Sequence, residues 1–560
     1  MTLRPLALCA LSALAPLAAA QADPGPGTLF HGGRIRLGDG AGTTVEALLA
    51  RDGRVVAVGD LAQLEARADA AAWTRVDLRG GTAVPGLQDA HGHLSSLGAS
   101  LERVDLLGCS TYEELVRRVA EQAADLPPGS WVLGRGWDHT LWPGAEFPHH
   151  AALSAATPEH PVFLERVDGH SGLANALAME LAGMVGDAAD LNVAGGRIER
   201  GADGAPTGVL VDAAMGLVER HVPSEEQGDF EQRVLRAQAA ALAVGLTAVH
   251  DMGMDLEDVH ALRRMAREGS LQLRVHAYLW GNQGLDEAGI AALEREGPAG
   301  KVDLVGVKLM IDGALGSRGA ALHEDYHDAP GERGLLLVER DELARLVQSA
   351  ARLGLQPATH AIGDRGNTLV LDVYAERQAQ QASFRELRPR IEHAQVVRQA
   401  DWGRFPELGV IPSVQPTHCT TDMRWAEDRL GAERVLGAYA WRRLDPDLVH
   451  LAFGSDFPVE SPDPLLGLYA ARARQDVAGW PEDGWQVDQR VGAGAALAGF
   501  TRGAAWAVFE EHERGRLLPG FAADLSVFSV DPVRCTPEEL LTAQALYTVI
   551  DGEVCFAAPE

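Results

Sequence analysis

Cysteine is scarce in this chain: five residues in 560, with no Cys-x-x-Cys among them. A zinc site built on paired thiolates is therefore not supported. Cys9 lies inside an apolar N-terminal run, too early to be a lipidated cysteine. Of Cys109, Cys419, Cys535 and Cys555, the last two are the expected disulfide pair if the chain enters an oxidising compartment. Positive charge is also short. Lys and Arg number 49 against 79 Asp and Glu, a formal net charge of −30. Nucleic acid and anionic membrane are thus not expected partners. The acidic excess does not itself mark a metal site, because most such carboxylates are solvated. Beyond residue 22 no stretch is long, apolar and uncharged enough to span a bilayer.

What is present begins with residues 1–22, which read as a secretory signal. Arg4 supplies the positive start, Leu6 to Leu17 is apolar, and Ala18 to Ala22 offers a small-x-small cleavage site. The expectation is an exported chain, periplasmic or secreted, with no membrane anchor after cleavage. Hydrophobic residues make up 46% of the sequence, enough for a large core. Residues 23–80 and 503–560 share one texture: short apolar runs broken by Gly, Asp-Pro and Asp-Gly turns. Two β-rich ends around a long centre are expected to pair into one small domain.

The centre, residues 81–502, alternates apolar runs with helical patterns. The runs are TAVPGLQDAHGHL, GLTAVHDM, LRVHAYL, LVGVKLMIDG, LQPATHAIGD, RIEHAQVV, VIPSVQP and HLAFGSD. Eight such units predict an α/β fold: a (β/α)8 TIM-like barrel carrying a small composite β-sandwich domain from the N- and C-terminal segments. An insertion at about residues 95–240 separates the first strand from the second, and an insertion of that size at a catalytic face is usually functional.

A barrel gathers its chemistry at the C-terminal ends of its strands. His91 and His93 end the first run, and residues i and i+2 of a strand share a face. They read either as two ligands of one metal or as two half-buried histidines. Lys308 lies in the fourth run, His360 ends the fifth, His393 the sixth and Asp456 the eighth. Each alone has a structural reading; six at successive strand ends point to a metal site. Arg318 follows the fourth run and could grip a polar group of the substrate, with salt-bridging the alternative. Trp142, Trp280, Trp425 and Phe457 are candidates for an apolar pocket wall or for packing. Asp364 and Arg365 read as an internal ion pair, and His276 as packing.

These motifs resemble the metal-dependent amidohydrolase superfamily, and within it the YtcJ-like group, amidohydrolase family 3, that includes N-substituted formamide deformylases. PGLQDAHGHL resembles the opening HxH motif, VKLMIDGALGSRGA the fourth-strand motif, and THAIGDRGN, RIEHAQVV and GSDFPVE the later histidines and aspartate. GRLLPGFAADLSVF is similar to the return into the β domain, so the likeness covers almost the whole chain after residue 22. It implies one or two divalent ions, zinc foremost, with iron or manganese also compatible with the ligands. His91, His93 and Asp456 would hold the first, and His360 and His393 a second. In the insertion Trp137, Asp138 and His170 resemble motifs that line the group's substrate pocket, with a buried structural hydrogen bond the alternative for His170. Lys308 matches a position that carries a bridging carbamylated lysine; the alternative is an unmodified ammonium paired with Asp312 or a substrate oxygen, which frees His393 to polarise the carbonyl.

The implied activity is hydrolysis of a non-peptide C–N (amide) bond of a small molecule by a metal-generated hydroxide, with Asp456 as general base. The same site could act on a cyclic amide, carbamate or ester, or as a metal-dependent isomerase or decarboxylase. A non-catalytic exported binding protein is the rival of another class, and the joint presence of all the ligands argues against it. A homo-oligomer is compatible with the sequence.

Overall fold

The computed structural model describes residues 27–67, 73–106, 108–139, 142–166, 171–184, 193, 196–223, 230–295, 300–448 and 450–559. The signal expected at residues 1–22 and the candidate His170 lie outside them.

Eight parallel strands stand side by side in chain order. They are β1 (Leu87–Gly92), β2 (Leu246–Met254), β3 (Arg274–Trp280), β4 (Val302–Met310), β5 (Gln356–Ala361), β6 (Arg390–His393), β7 (Ile411–Val414) and β8 (Ala452–Phe453). Most of their residues are buried, which is why they read as near-continuous apolar runs. The ring closes between β8 and β1. Gly92 bridges Phe457, and the Asp456 amide donates to the His91 carbonyl at 2.6 Å. Asp89 adds a side-chain tie, accepting from the Ser455 amide at 3.0 Å and its hydroxyl at 2.6 Å. Between strands lie amphipathic helices. Arg340–Arg352, for example, buries Leu343, Leu346, Val347, Ala350 and Ala351 at helical spacing.

The two chain ends interleave in one six-stranded sheet, in the order Glu553–Ala557, Ala545–Ile550, Leu525–Phe528, Thr82–Pro85, Arg34–Arg36, Thr44–Val45. A four-stranded sheet of residues 28–77 shares a core with it, in which Phe30, Leu48 and Val55 meet Ile35, Leu525 and Val549. The stretch 82–94 is thus two strands in two sheets. Gly86 is the seam, because a Cβ there would sit 2.5 Å from Thr247 Oγ1 and 2.9 Å from Asp524 Cβ. The barrel opens at Leu87, six residues later than the boundary read from the sequence. At the other end position 503 falls within helical backbone that runs on to Ala507, burying Ala504 and Ala507 against Ala90 and Ala452.

The insertion carries a mixed sheet of its own, in the order Gly196–Arg200, Pro206–Asp212, Ser171–Ala174, Val162–Arg166, Val132–Trp137, Val104–Asp105. The helix Phe230–Ala243 packs instead on Leu94–Ser100 beside the barrel, so closely that a Cβ on Gly98 would lie 2.1 Å from the Arg233 carbonyl oxygen. Cys109, Cys419, Cys535 and Cys555 are free thiols, so the Cys535–Cys555 pairing expected from sequence is not formed. Cys535 lies against Arg472 and Cys555 points back to the Glu553 carbonyl of its own strand.

A largely buried carboxylate ties the two chain ends together. Asp531 accepts from Arg36 at 2.6 and 2.7 Å and from Arg34 at 2.9 Å. Burial would raise its carboxyl, but the two guanidinium groups outweigh that and hold it at about 2. A depressed carboxylate stabilises the fold above its unfolded value of 3.8 and loses that contribution as pH falls towards 2. Asp531→Asn should therefore cost about 2 kcal/mol at pH 7. Urea midpoints of both proteins at pH 7 and pH 3 should show the gap narrowing at the lower pH.

Candidate metal centre

The period of β1 aims His91, and His93 just beyond it, at the C-terminal mouth of the barrel. Two further ligand candidates sit on backbone that L-residues rarely adopt, His393 at φ +70° and Asp456 at φ +61°. Such conformations cost energy and persist where the surroundings over-determine them. The Asp456 amide bond to His91 and the Phe457 carbonyl's bond from the His93 amide, at 3.0 Å, do so here.

These side chains converge. His93 Nε2 lies 3.1 Å and His91 Nε2 3.4 Å from Asp456 Oδ1. One donor atom each from His91, His393 and Asp456 falls within 4.8 Å of the others. The His393 ring stands between two neighbours, 4.9 Å from His91 and 4.5 Å from His360 by ring centroids. Lys308 Nζ donates to His91 Nε2 at 3.2 Å. Asp312, the expected partner of an unmodified Lys308, instead accepts the amides of Ala321, Ile362 and Gly363 and props the loop behind His360.

Two of the imidazoles are oriented from behind. Glu392 Oε2 accepts from His91 Nδ1 at 2.7 Å and Gln415 Oε1 accepts from His393 Nδ1 at 2.8 Å. Acceptors at Nδ1 put the proton there and leave both Nε2 lone pairs facing the cavity. Glu392 is fixed by Arg390 at 2.8 and 3.1 Å, and Arg390 continues to Ala90 O, Ser413 Oγ, Tyr278 OH and His250 Nδ1. Both members of this pair are wholly buried.

The charge states suit a cation. Burial drives His91 down to about 4 and His360 to about 3, and His393 lies well below its ordinary value. All three are neutral at pH 7, the form that ligates a metal. Burial works against ionised Asp456, but His91, His93, His393 and His418 outweigh it and keep the carboxyl well below the usual range. Burial brings the Lys308 ammonium down to about 8. Lys301 and Lys308 are the only lysines among 49 basic residues, so a chain that otherwise uses arginine keeps an amine here. The Nε2 atoms of His360 and His418 are buried at this mouth without a hydrogen-bond partner among the described residues. Neutral imidazoles, a carboxylate and orphaned ring nitrogens fit a divalent ion of the zinc type. His91, His93, His393 and Asp456 would hold it, with His360 and a modified Lys308 available to a second.

A cavity of about 420 Å³ opens over these groups. Trp280, Met310, Leu315 and Trp425 form its apolar side, and His418, Asp422 and Glu460 its polar side. Of the four aromatic candidates, Trp280 and Trp425 line it, whereas Trp142 packs in the insertion and Phe457 lies fully buried against Gly92. Trp137, Asp138 and Arg318 are not among its lining residues. Trp137 is core of the insertion, its indole donating to the Leu164 carbonyl at 2.8 Å. Asp138 pairs with Arg166, and Arg318 with Asp328 at 2.8 Å. Asp364, expected to pair with Arg365, accepts the His323 amide at 2.9 Å.

Sequence reasoning missed Glu392, Arg390, Gln415 and His418. Arg390 and Glu392 did carry a signal, two opposite charges at i and i+2 in an apolar parallel strand. His418 carried none, since it follows the strand end on the helix Pro416–Asp422 and reaches the site only through the fold.

A closed α/β ring with neutral histidines and a carboxylate at its C-terminal mouth defines the class, a metal-dependent hydrolase barrel. The chain belongs to the amidohydrolase family, whose model matches residues 74–556. It is 34% identical to Protein LONG AFTER FAR-RED 3 of Arabidopsis thaliana over 93% of this chain and 89% of that one. It is 28% identical to the amidohydrolase YtcJ of Bacillus subtilis, covering 94% and 99% of the two chains. Its identity to the N-substituted formamide deformylase of Arthrobacter pascens is 29%, covering 92% and 96%. The crystal structure of a metal-dependent hydrolase from Pyrococcus horikoshii superposes with a TM-score of 0.71 at 30% identity, covering 91% of this chain and 99% of that one. These relatives place the chain in the YtcJ-like group, among metal-dependent hydrolases of amide-type bonds.

Proposed function

We propose that the chain hydrolyses a non-peptide C–N bond, an amide of a small and partly apolar molecule, at the cavity over His91, His93, His393 and Asp456. The observation that carries the reading is the convergence of these groups, with His360 and Lys308, on one cavity at the strand ends. A divalent ion held there would lower the pKa of a water to about 7 and would polarise the amide carbonyl. The residues supply the rest. The apolar wall of Trp280, Met310, Leu315 and Trp425 takes the non-polar part of the substrate and turns the amide towards the histidines. Asp456, ionised and 3.1 Å from His93, takes the proton of the attacking water on a carboxylate oxygen. Water oxygen adds to the carbonyl carbon, the C–N bond breaks, and Asp456 returns the proton to the leaving nitrogen. The products are a carboxylic acid and an amine. The likeness to an N-substituted formamide deformylase supports a formamide-like substrate.

A carbamate on Lys308 belongs to the same proposal. Carbamylation needs a neutral amine, and an ammonium brought down to about 8 by burial has an appreciable neutral fraction at pH 7. Lys308→Arg, which cannot lose its proton, should lower metal affinity about 10-fold or more and activity with it. Unchanged metal content in that variant would remove Lys308 from the ligands. Zinc as the resident ion and export, supported by the pattern of residues 1–22, complete the proposal.

The test is a turnover screen of zinc-loaded enzyme over N-formyl amines, N-acyl amines, cyclic amides, carbamates and esters. Release of amine from the acyclic amides is expected, and turnover of esters alone would overturn the assignment.

A further inference from the structure

The inward face of β3 passes from the cavity through the whole barrel. Trp280 lines the mouth, Tyr278 bonds Gln356 and Arg390 at mid-depth, and Arg274 at the far end pairs with Asp524 and Asp551 of the composite sheet domain. His276 lies between, and it is anomalous. It is 2% exposed, yet neither ring nitrogen has a hydrogen-bond partner among the described residues. A neutral imidazole carries one donor and one acceptor, and both are here left unmet in the interior.

Two carboxylates surround it. Asp303 stands opposite His276 in the β3–β4 register, and its side is open to solvent. Glu510, from the segment that follows the last barrel helix, sets Oε2 3.4 Å from His276 Nε2. That oxygen is also buried without a hydrogen bond, while Oε1 is taken by Arg514. One donor atom from each of His276, Asp303 and Glu510 lies within 4.8 Å of the other two. Burial lifts the Glu510 carboxyl to about 7 and drops His276 to about 3, so the two do not hold each other as an ion pair. The surrounding charges leave room for a cation. Arg274 and Arg514 pair with three carboxylates, those of Glu510, Asp524 and Asp551, and Asp303 adds a fourth beside His276 and Glu510. Arg390 beneath is already matched by Glu392.

We propose that His276, Asp303 and Glu510 form a second divalent-cation site, of the zinc class, at the N-terminal end of the barrel and separate from the metal centre. One imidazole nitrogen and two carboxylate oxygens are a donor set that zinc accepts and that calcium or magnesium, which require oxygen alone, do not favour. The open side at Asp303 leaves a position for water. The site's role is structural. It ties β3 and β4 to the segment around Glu510, which leads back into the sheet domain that the chain ends build.

Zinc anomalous diffraction from crystals of the full chain grown with zinc chloride tests this directly. The expected result is a peak about 2.0–2.2 Å from a His276 ring nitrogen and from Glu510 Oε2, distinct from any at His91. A peak at His91 with none at His276 would overturn the proposal. Metal analysis gives the second measurement. After equilibration with zinc and desalting, Glu510→Gln should hold one zinc fewer per chain than wild type and retain its kcat. An unchanged zinc count would overturn the proposal even if the variant were less stable.

Discussion

Asp456→Asn is expected to lower kcat by about 10²–10⁴-fold, the range that a positioned general base contributes. The substitution keeps the shape of the side chain, and asparagine tolerates the φ of +61° at this position as well as aspartate does. What it removes is the proton acceptor. Asp456 is ionised at pH 7 because its carboxyl lies well below the usual range, and an amide in its place has no such charge to offer. His91, His93 and His393 remain as ligands, so bound metal should fall far less than turnover. Rates near wild type at full metal content would dismiss Asp456 as the base. A parallel loss of metal and rate would reassign it to a purely ligating role.

Glu392→Ala carries the other large effect. Glu392 is fully buried between the Arg390 guanidinium and His91 Nδ1. Arg390 holds the carboxyl down to about 2 against the opposing pull of burial. Removing the carboxylate strands a buried guanidinium, a change that typically costs about 3–5 kcal/mol. It also frees the His91 ring to rotate and to change tautomer, and loss of such an orienting partner typically costs 10–100-fold in metal affinity. Denaturant unfolding should show the first effect and competitive zinc titration the second. A variant with unaltered stability and zinc affinity would mean that the Arg390–Glu392 pair is peripheral to the centre.

The barrel was legible because parallel strands covered on both faces are written as apolar runs, and several of them ended in a residue too polar for the interior. His360, His393 and Asp456 stand at those ends for that reason. The seam at Gly86 was less legible, since TAVP and LQDAHG form one uninterrupted buried run whose halves enter different sheets only after folding. Trp137 and Asp138 looked like pocket residues because they resemble a pocket-lining motif of the group. In the structure the insertion has a core of its own that takes Trp137, and Asp138 pairs with Arg166. His276 read as packing from its place in an apolar strand, and only the fold shows Asp303 and Glu510 closing on it. Buried charge was the hardest feature to read. Arg390 and Glu392 neutralise one another across a single strand face, whereas sequence pattern ordinarily assigns charge to solvent.

The most direct test of a metal-dependent amide hydrolase is one titration on purified enzyme. Amine release from an N-formyl substrate is followed while a chelator strips the metal and zinc chloride then restores it. Activity should fall with bound metal to background and return as zinc is added. Full amide turnover by protein shown to be metal-free would contradict the account.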